Sequence, residues 1–206
     1  MKKLILILTI IASVSVANAK TPILQKRAFN NPPHTEFKYY GLYGIVGYEC
    51  LPALSINGAY PLPVMNGATG IIGFQFRRQT AVGIGVSYFS DKNGLFSQMP
   101  LFVEFRSHYL RSRLTPYSSV KLGYTFALGS RMQQKADAWY IDQGGVALGV
   151  EVGGRFAITH KFGFSFGVGY FMLHSNNVVY CDENMVQAMN ESVLMHNLKL
   201  NLALNF

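Results

Sequence analysis

The amino-acid sequence predicts an all-β protein, an eight-stranded antiparallel up-and-down transmembrane β-barrel. Half of the 206 residues are hydrophobic and only 14% are charged, whereas soluble domains carry about 25% charged residues. After the first twenty positions, the chain has no apolar run of the ~18 residues that a membrane helix needs. Hydrophobic residues instead alternate with small or polar ones in eight segments, which is the pattern of strands with one apolar face.

The N-terminal region precedes these segments. Two lysines are followed by an apolar stretch and by Ala-Asn-Ala at 17–19, which predicts a secretory signal peptide over 1–19, cleaved after Ala19. Residues 20–36 contain two consecutive prolines and no sustained period, so we expect an irregular periplasmic leader there. The barrel is expected over 37–206.

Eight alternating segments follow, and each is long enough, at roughly 9 to 11 residues, to cross a bilayer as a tilted strand. In chain order they lie near residues 38–49, 66–77, 80–90, 101–109, 120–128, 148–158, 162–172 and 197–206. The last segment has the clearest pattern. Its polar or small positions alternate with the large apolar residues Leu198, Leu200, Leu202, Leu204 and Phe206.

The volume of the lumen decides which face of each strand points inward. Side chains just fill the interior of an eight-stranded barrel, so the glycine-rich face fits inside and the Phe, Tyr and Leu face does not. The large apolar residues therefore face outward, where lipid is the compatible solvent, and a closed barrel pairs every backbone group within the sheet.

The inward face also carries charged side chains. They are Glu104, Arg106, Lys121, Glu151, Arg155 and Lys199. Buried charges must pair to offset the cost of leaving water. We therefore expect a closed lumen filled by ion pairs, with a small gated pore as the lesser alternative.

The lengths of the connections predict the topology. Short links lie near residues 77–79, 111–115 and 159–161, and longer ones near 50–65, 91–98, 130–144 and 175–192. Outer-membrane barrels have short periplasmic turns and longer extracellular loops. This places Glu49 with the acidic extracellular loops, and Asp182 is expected to cap a short helix within 182–195.

The two cysteines are expected at one extracellular corner. Cys50 follows the first segment, and Cys181 lies in the last long loop, before the eighth segment. Barrel closure places the first and last strands side by side, and an exported protein meets an oxidising compartment. We therefore predict a disulfide between Cys50 and Cys181.

The alternating last segment, ending in Phe206, resembles the assembly signal of Gram-negative outer-membrane proteins. Residues 37–206 as a whole resemble the small OmpA/OmpX-type eight-stranded barrels, a porin-like outer-membrane family. The resemblance implies a location in the bacterial outer membrane, insertion by the barrel assembly machinery, and contact with outer-membrane lipid and lipopolysaccharide. It favours a non-enzymatic structural or surface-interaction protein whose extracellular loops meet an unidentified ligand.

A second resemblance gives the alternative function. His174-Ser175-Asn176, followed by Glu191, resembles the lipid A 3-O-deacylase family, eight-stranded outer-membrane esterases that use a His, Ser and Glu triad. That family separates its histidine and serine by one residue, whereas here the two are adjacent. Adjacent side chains of a strand point to opposite faces, so a non-enzymatic protein is favoured over a lipid A deacylase-like esterase.

Other functional classes find little support in the sequence. The remaining histidines lack metal-ligand spacing and cysteine partners, so we expect neither a metal nor another cofactor. The formal charge of +8 includes two signal lysines and is not gathered into one patch, which excludes nucleic acid as an expected partner. A soluble lipocalin-like carrier is a further alternative.

Overall fold

The computed structural model describes nine stretches of the chain, and all belong to the compact unit formed by residues 36–206. They are residues 41–56, 63–76, 79–92, 97–110, 113–128, 138–159, 162–182, 185–189 and 192–206. Side chains are described in these stretches except at 138–142, 177–182 and 185–189. The predicted signal peptide and leader lie outside the described residues.

The described residues form ten strands. Their bounds are β1 Gly41–Ile56, β2 Val64–Gln75, β3 Thr80–Ser90, β4 Gln98–His108, β5 Leu114–Ala127, β6 Ala138–Gln143, β7 Gly145–Ala157, β8 Gly163–Asp182, β9 Met185–Met189 and β10 Val193–Asn205. Strands β1, β2, β3, β4, β5, β7, β8 and β10 pair in that order, each antiparallel to the next, and β10 returns to β1. The predicted eight-stranded antiparallel barrel is therefore confirmed. We call the end with Gly41 and Phe206 the turn end, and the end with Ile56 and Val64 the loop end.

The two remaining strands lie beyond the barrel at the loop end. There β8 continues to Asp182, with β6 paired along one edge and β9 along the other. The predicted helix within 182–195 is therefore wrong, because Met185–Met189 forms a strand. No helix in the described part of the chain is long and apolar enough to span a bilayer.

Side-chain alternation gives the barrel two different surfaces. Thirty large hydrophobic side chains of the described residues are exposed, and those on the barrel strands occupy the outward positions. A soluble protein rarely exposes contiguous apolar patches larger than a few hundred Å². The outward surface is therefore suited to lipid, as the alternation predicts.

The seam between β1 and β10 is closed at the turn end by Phe206 and Gly44. The Gly44 amide donates to the Phe206 carbonyl at 2.7 Å, and the Phe206 amide donates to the Gly44 carbonyl at 2.9 Å. A Cβ atom at Gly44 would overlap the Phe206 ring, so the glycine makes room for it. Four apolar residues of the predicted assembly signal lie on the outward face of β10, and the fifth, Phe206, follows the end of the strand and is also exposed. The four are Leu198, Leu200, Leu202 and Leu204.

Candidate functional site: the barrel lumen

The middle of the lumen holds a chain of alternating charges. Glu49 Oε1 accepts from Lys121 Nζ at 3.0 Å and lies 2.7 Å from Lys199 Nζ. Lys199 Nζ also lies 2.8 Å from Glu151 Oε2. All four side chains are buried. Because four different strands supply them, these ion pairs link β1, β5, β7 and β10 across the interior.

Glu151 is further bound by neutral donors. The Tyr117 hydroxyl donates to Glu151 Oε1 at 2.5 Å, and Asn201 Nδ2 donates to the same oxygen at 2.9 Å. A buried carboxylate needs such donors, because leaving water costs several kcal/mol per ion. Both of these donors bond to Oε1, while Lys199 forms the ion pair with Oε2.

A second group of charges lies closer to the turn end. Arg106 Nη2 donates to Glu104 Oε1 at 2.8 Å, and the Arg106 guanidinium lies 4.4 Å from the centroid of the Tyr117 ring. Arg155 Nη1 lies 3.3 Å from His108 Nε2. Tyr117 contacts Arg106 through its ring and Glu151 through its hydroxyl. It therefore connects the two groups, which together we call the ion network.

All six charged residues named by the sequence are buried in the lumen, and all have polar or charged contacts there. With Glu49, the described ion network contains four basic and three acidic side chains. No group of three or more His, Cys, Asp or Glu side chains among the described residues could hold a metal ion.

Apolar side chains fill the lumen on the loop side of the ion network. We call this cluster the apolar layer, and its buried members are Leu51, Met65, Phe89, Ala147, Phe171, Leu173, Val193 and Met195. The rings of Phe89 and Phe171 pack with their centroids 6.0 Å apart. Lys199 Nζ lies 5.8 Å from the centroid of the Phe171 ring. The apolar layer and the ion network are therefore in direct contact.

Glycines make room for both aromatic rings of the apolar layer. A Cβ atom at Gly149 would lie 2.5 Å from the Phe171 ring. One at Gly67 would overlap the backbone oxygen of Tyr88 and would lie 2.7 Å from the Phe89 ring. All three contacts are too short for real atoms. The inward glycines therefore serve packing, since they free the volume that two phenylalanines occupy.

Glu49 lies buried in the lumen and not in an extracellular loop. It was expected in the extracellular loops, but β1 continues to Ile56, so Glu49 lies within a strand. Period-two alternation then places it inward with Ile45 and Leu51. Tyr117 was missed for a similar reason, since the fifth strand begins at Leu114 and not near position 120. In both cases, extending the alternation would have found the residue.

The candidate catalytic residues His174 and Ser175 are not brought together. Strand pairing continues through both positions, with Leu194 opposite His174 and Val193 opposite Ser175. Ser175 is fully buried in the lumen, where Gln98 Nε2 donates to its hydroxyl oxygen at 3.1 Å. His174 is half-buried at an outward position. The third member, Glu191, lies outside the described residues.

The structure does not show the predicted disulfide, and Cys50 is free in the part of the chain that the structure describes. Cys50 pairs with Leu200, which pairs with Val168 of β8. Cys181 lies thirteen residues beyond Val168 on the same strand, which is roughly 40 Å at about 3.3 Å per residue. A disulfide requires Cα atoms within about 7 Å. The side chain of Cys181 lies outside the described residues.

Solved structures of small outer-membrane proteins resemble this fold. The outer-membrane protein OprG from Pseudomonas aeruginosa matches with a TM-score of 0.50 and 14% identity, over 83% of this chain and 99% of that one. Neisserial surface protein A matches with a TM-score of 0.47 and 15% identity, over 79% and 96%. AlkL matches with a TM-score of 0.45 and 18% identity, over 86% and 95%.

The comparisons establish the fold. The match to OprG shows that the chain has the fold of small eight-stranded outer-membrane barrels, as the resemblance seen in the sequence implied. No protein-family model and no curated protein sequence matches the chain.

Proposed function

We propose that the protein is an integral barrel of the bacterial outer membrane, non-enzymatic, with a closed lumen and a structural or surface-interaction role. The observation that carries this proposal is the inversion of its surfaces. Charged side chains are buried inside the barrel, while large apolar side chains are exposed on its outside. Lipid is the solvent in which such an outward surface is stable.

The filled lumen supports a closed barrel. Ion pairs occupy its middle and the apolar layer occupies its loop end. A conducting pore of this strand number would need side chains to move, because an eight-stranded interior is only wide enough for side chains to fill.

The extension formed by β6, β8 and β9 supports a role at the cell surface. Residues 176–182 of β8 run past the barrel by roughly 20 Å at about 3.3 Å per residue. Residues 176–192 contain three acidic residues and no Lys or Arg. We propose that this extension contacts lipopolysaccharide sugars or an extracellular ligand.

Membrane recordings and cell fractionation test the proposal. The protein should fractionate with the outer membrane, resist extraction without detergent, and show the heat-dependent gel mobility of a folded barrel. It should give no steady single-channel steps in a planar bilayer. Fractionation with soluble periplasmic proteins, or large steady steps from the wild-type protein, would contradict it.

Lipid A mass spectrometry tests the non-enzymatic part. The side chains of His174 and Ser175 lie on opposite faces of β8. We therefore expect the purified protein to leave lipid A unchanged. Release of a hydroxyacyl chain that is lost in Ser175→Ala would establish an esterase.

A further inference from the structure

We propose that the apolar layer is the permeability barrier of the lumen, and that the ion network beneath it does not keep the barrel shut. The inference rests on the proposed closed barrel and names the side chains that close it. Conductance of the wild type would contradict the closed barrel, whereas the conductance of the variants tests which side chains close it.

The apolar layer extends around most of the lumen wall. Its buried side chains come from six of the eight barrel strands, namely β1, β2, β3, β7, β8 and β10. The other two strands contribute Gln98 and Thr125, which are completely buried. Gln98 also bonds to Ser175 of β8. Side chains of all eight strands therefore fill the loop end of the lumen.

Along a strand, the inward-facing side chains change from charged to apolar towards the loop end of the barrel. On β1, Glu49 is followed by Leu51, the next inward residue towards the loop end. On β10, the next inward-facing residues from Lys199 towards the loop end are Asn197 and then Met195. An ion that passes the network therefore meets the apolar layer within one or two residues, with no charged side chain of the described residues beyond it on these strands.

Water and ions are excluded more strongly by the apolar layer than by the ion network. An enclosed apolar space offers water no hydrogen-bond partner, and hydrophobic constrictions close pores by excluding water. Among the described residues, the ion network and its surroundings keep buried polar atoms without a hydrogen-bond partner. They include Tyr43 Oη, Glu104 Oε2, Arg106 Nε, Arg106 Nη1 and Ser119 Oγ. Gln98 Oε1 and Thr125 Oγ1 at the loop end, and Asn197 Oδ1 between the two regions, are further such atoms. Most of them lie in or around the ion network, and the eight members of the apolar layer carry no polar side-chain group. Such atoms can bind a passing ion or water molecule, so the ion network is the weaker obstacle.

Planar-bilayer recording of paired variants tests the assignment. Phe89→Ala with Phe171→Ala removes the two packed rings of the layer. Glu49→Gln with Lys121→Met removes one acidic and one basic group from the ion network and leaves its net charge unchanged. We expect discrete conductance steps from the first variant, and none from the second or from the wild type. Heat-dependent gel mobility establishes that each variant is folded.

A second layer variant covers the case in which the first fails to fold. Leu51→Ser with Met195→Ser introduces hydroxyl groups into the layer while keeping the aromatic pair, and it should also conduct. Conductance in the network variant with silent layer variants would overturn the assignment, as would folded layer variants that stay silent. Steps from the wild type would contradict the closed barrel itself.

Discussion

The ion network and the apolar layer occupy the same lumen, yet they are stabilised in different ways. The ion network depends on a few atoms at hydrogen-bond distance, such as Lys199 Nζ between Glu49 and Glu151. The apolar layer depends on close packing of side chains such as Phe89 and Phe171. Removing one partner of a buried ion pair leaves an uncompensated charge, whereas removing one apolar side chain leaves a cavity. The first loss should therefore be more severe, and the second should change permeability more.

The largest expected effect comes from Lys199, because its ammonium group contacts two buried carboxylates. Lys199→Met should lower the free energy of unfolding by about 3–5 kcal/mol. Urea titration of the protein folded in lipid vesicles measures this loss. Lys92→Met, at an exposed lysine, is the control and should change stability by less than about 0.5 kcal/mol. Equal losses from both would show that the ion network contributes little.

A somewhat smaller effect is expected in the apolar layer. Leu51 is fully buried, so Leu51→Ala should lower the free energy of unfolding by about 3 kcal/mol through lost burial and a new cavity. The matched control is Leu200→Ala on the outward face, where 45% of the side chain is exposed and lipid can fill the space. The same titration should give the larger loss for Leu51. The reverse order would contradict the assignment of the two faces.

A double substitution sharpens the difference between the two regions. Arg106→Met leaves the buried carboxylate of Glu104 without its ion pair, whereas adding Glu104→Gln removes that charge. The double variant should recover about 2 kcal/mol of the loss seen in Arg106→Met. In the apolar layer, adding Met195→Ala to Leu51→Ala should recover nothing. A double variant at 104 and 106 that is less stable than Arg106→Met would show that Glu104 is stabilised independently of Arg106.

The smallest expected effect on stability comes from a glycine that lies against the apolar layer. Gly149→Ala should lower the free energy of unfolding by about 1 kcal/mol, because the new methyl group would meet the Phe171 ring. The control is Gly70→Ala, where an added Cβ has no heavy atom within 4 Å and stability should not fall. If Gly149→Ala is as stable as the wild type, Phe171 is not tightly seated.

The alternation of the sequence anticipated most of the barrel, since period two is a property of neighbouring residues. It identified eight strands, the outward apolar face and six inward charges. It missed Tyr117 because the fifth strand begins six residues before the predicted segment. It missed Glu49 because the predicted first segment ended at this residue, which was therefore grouped with the loop that follows, whereas β1 continues to Ile56. The alternation also missed β9 and the length of β8. These segments are strands because they pair with one another beyond the barrel, and the local sequence pattern does not reveal that pairing.

The sequence by itself determined which face of most strands points inward, because each strand alternates and the glycines and charged residues share one face. Large apolar side chains such as Phe89 and Phe171 also lie inside, where glycines make room for them. Only the tertiary structure decided which inward residues meet. Lys199 contacts Glu49 and Glu151, and Phe89 packs on Phe171, because strand register and closure bring distant positions together. It also decided that Cys50 lies far along the sheet from Cys181. Register is a property of strand pairs, and no single strand carries it.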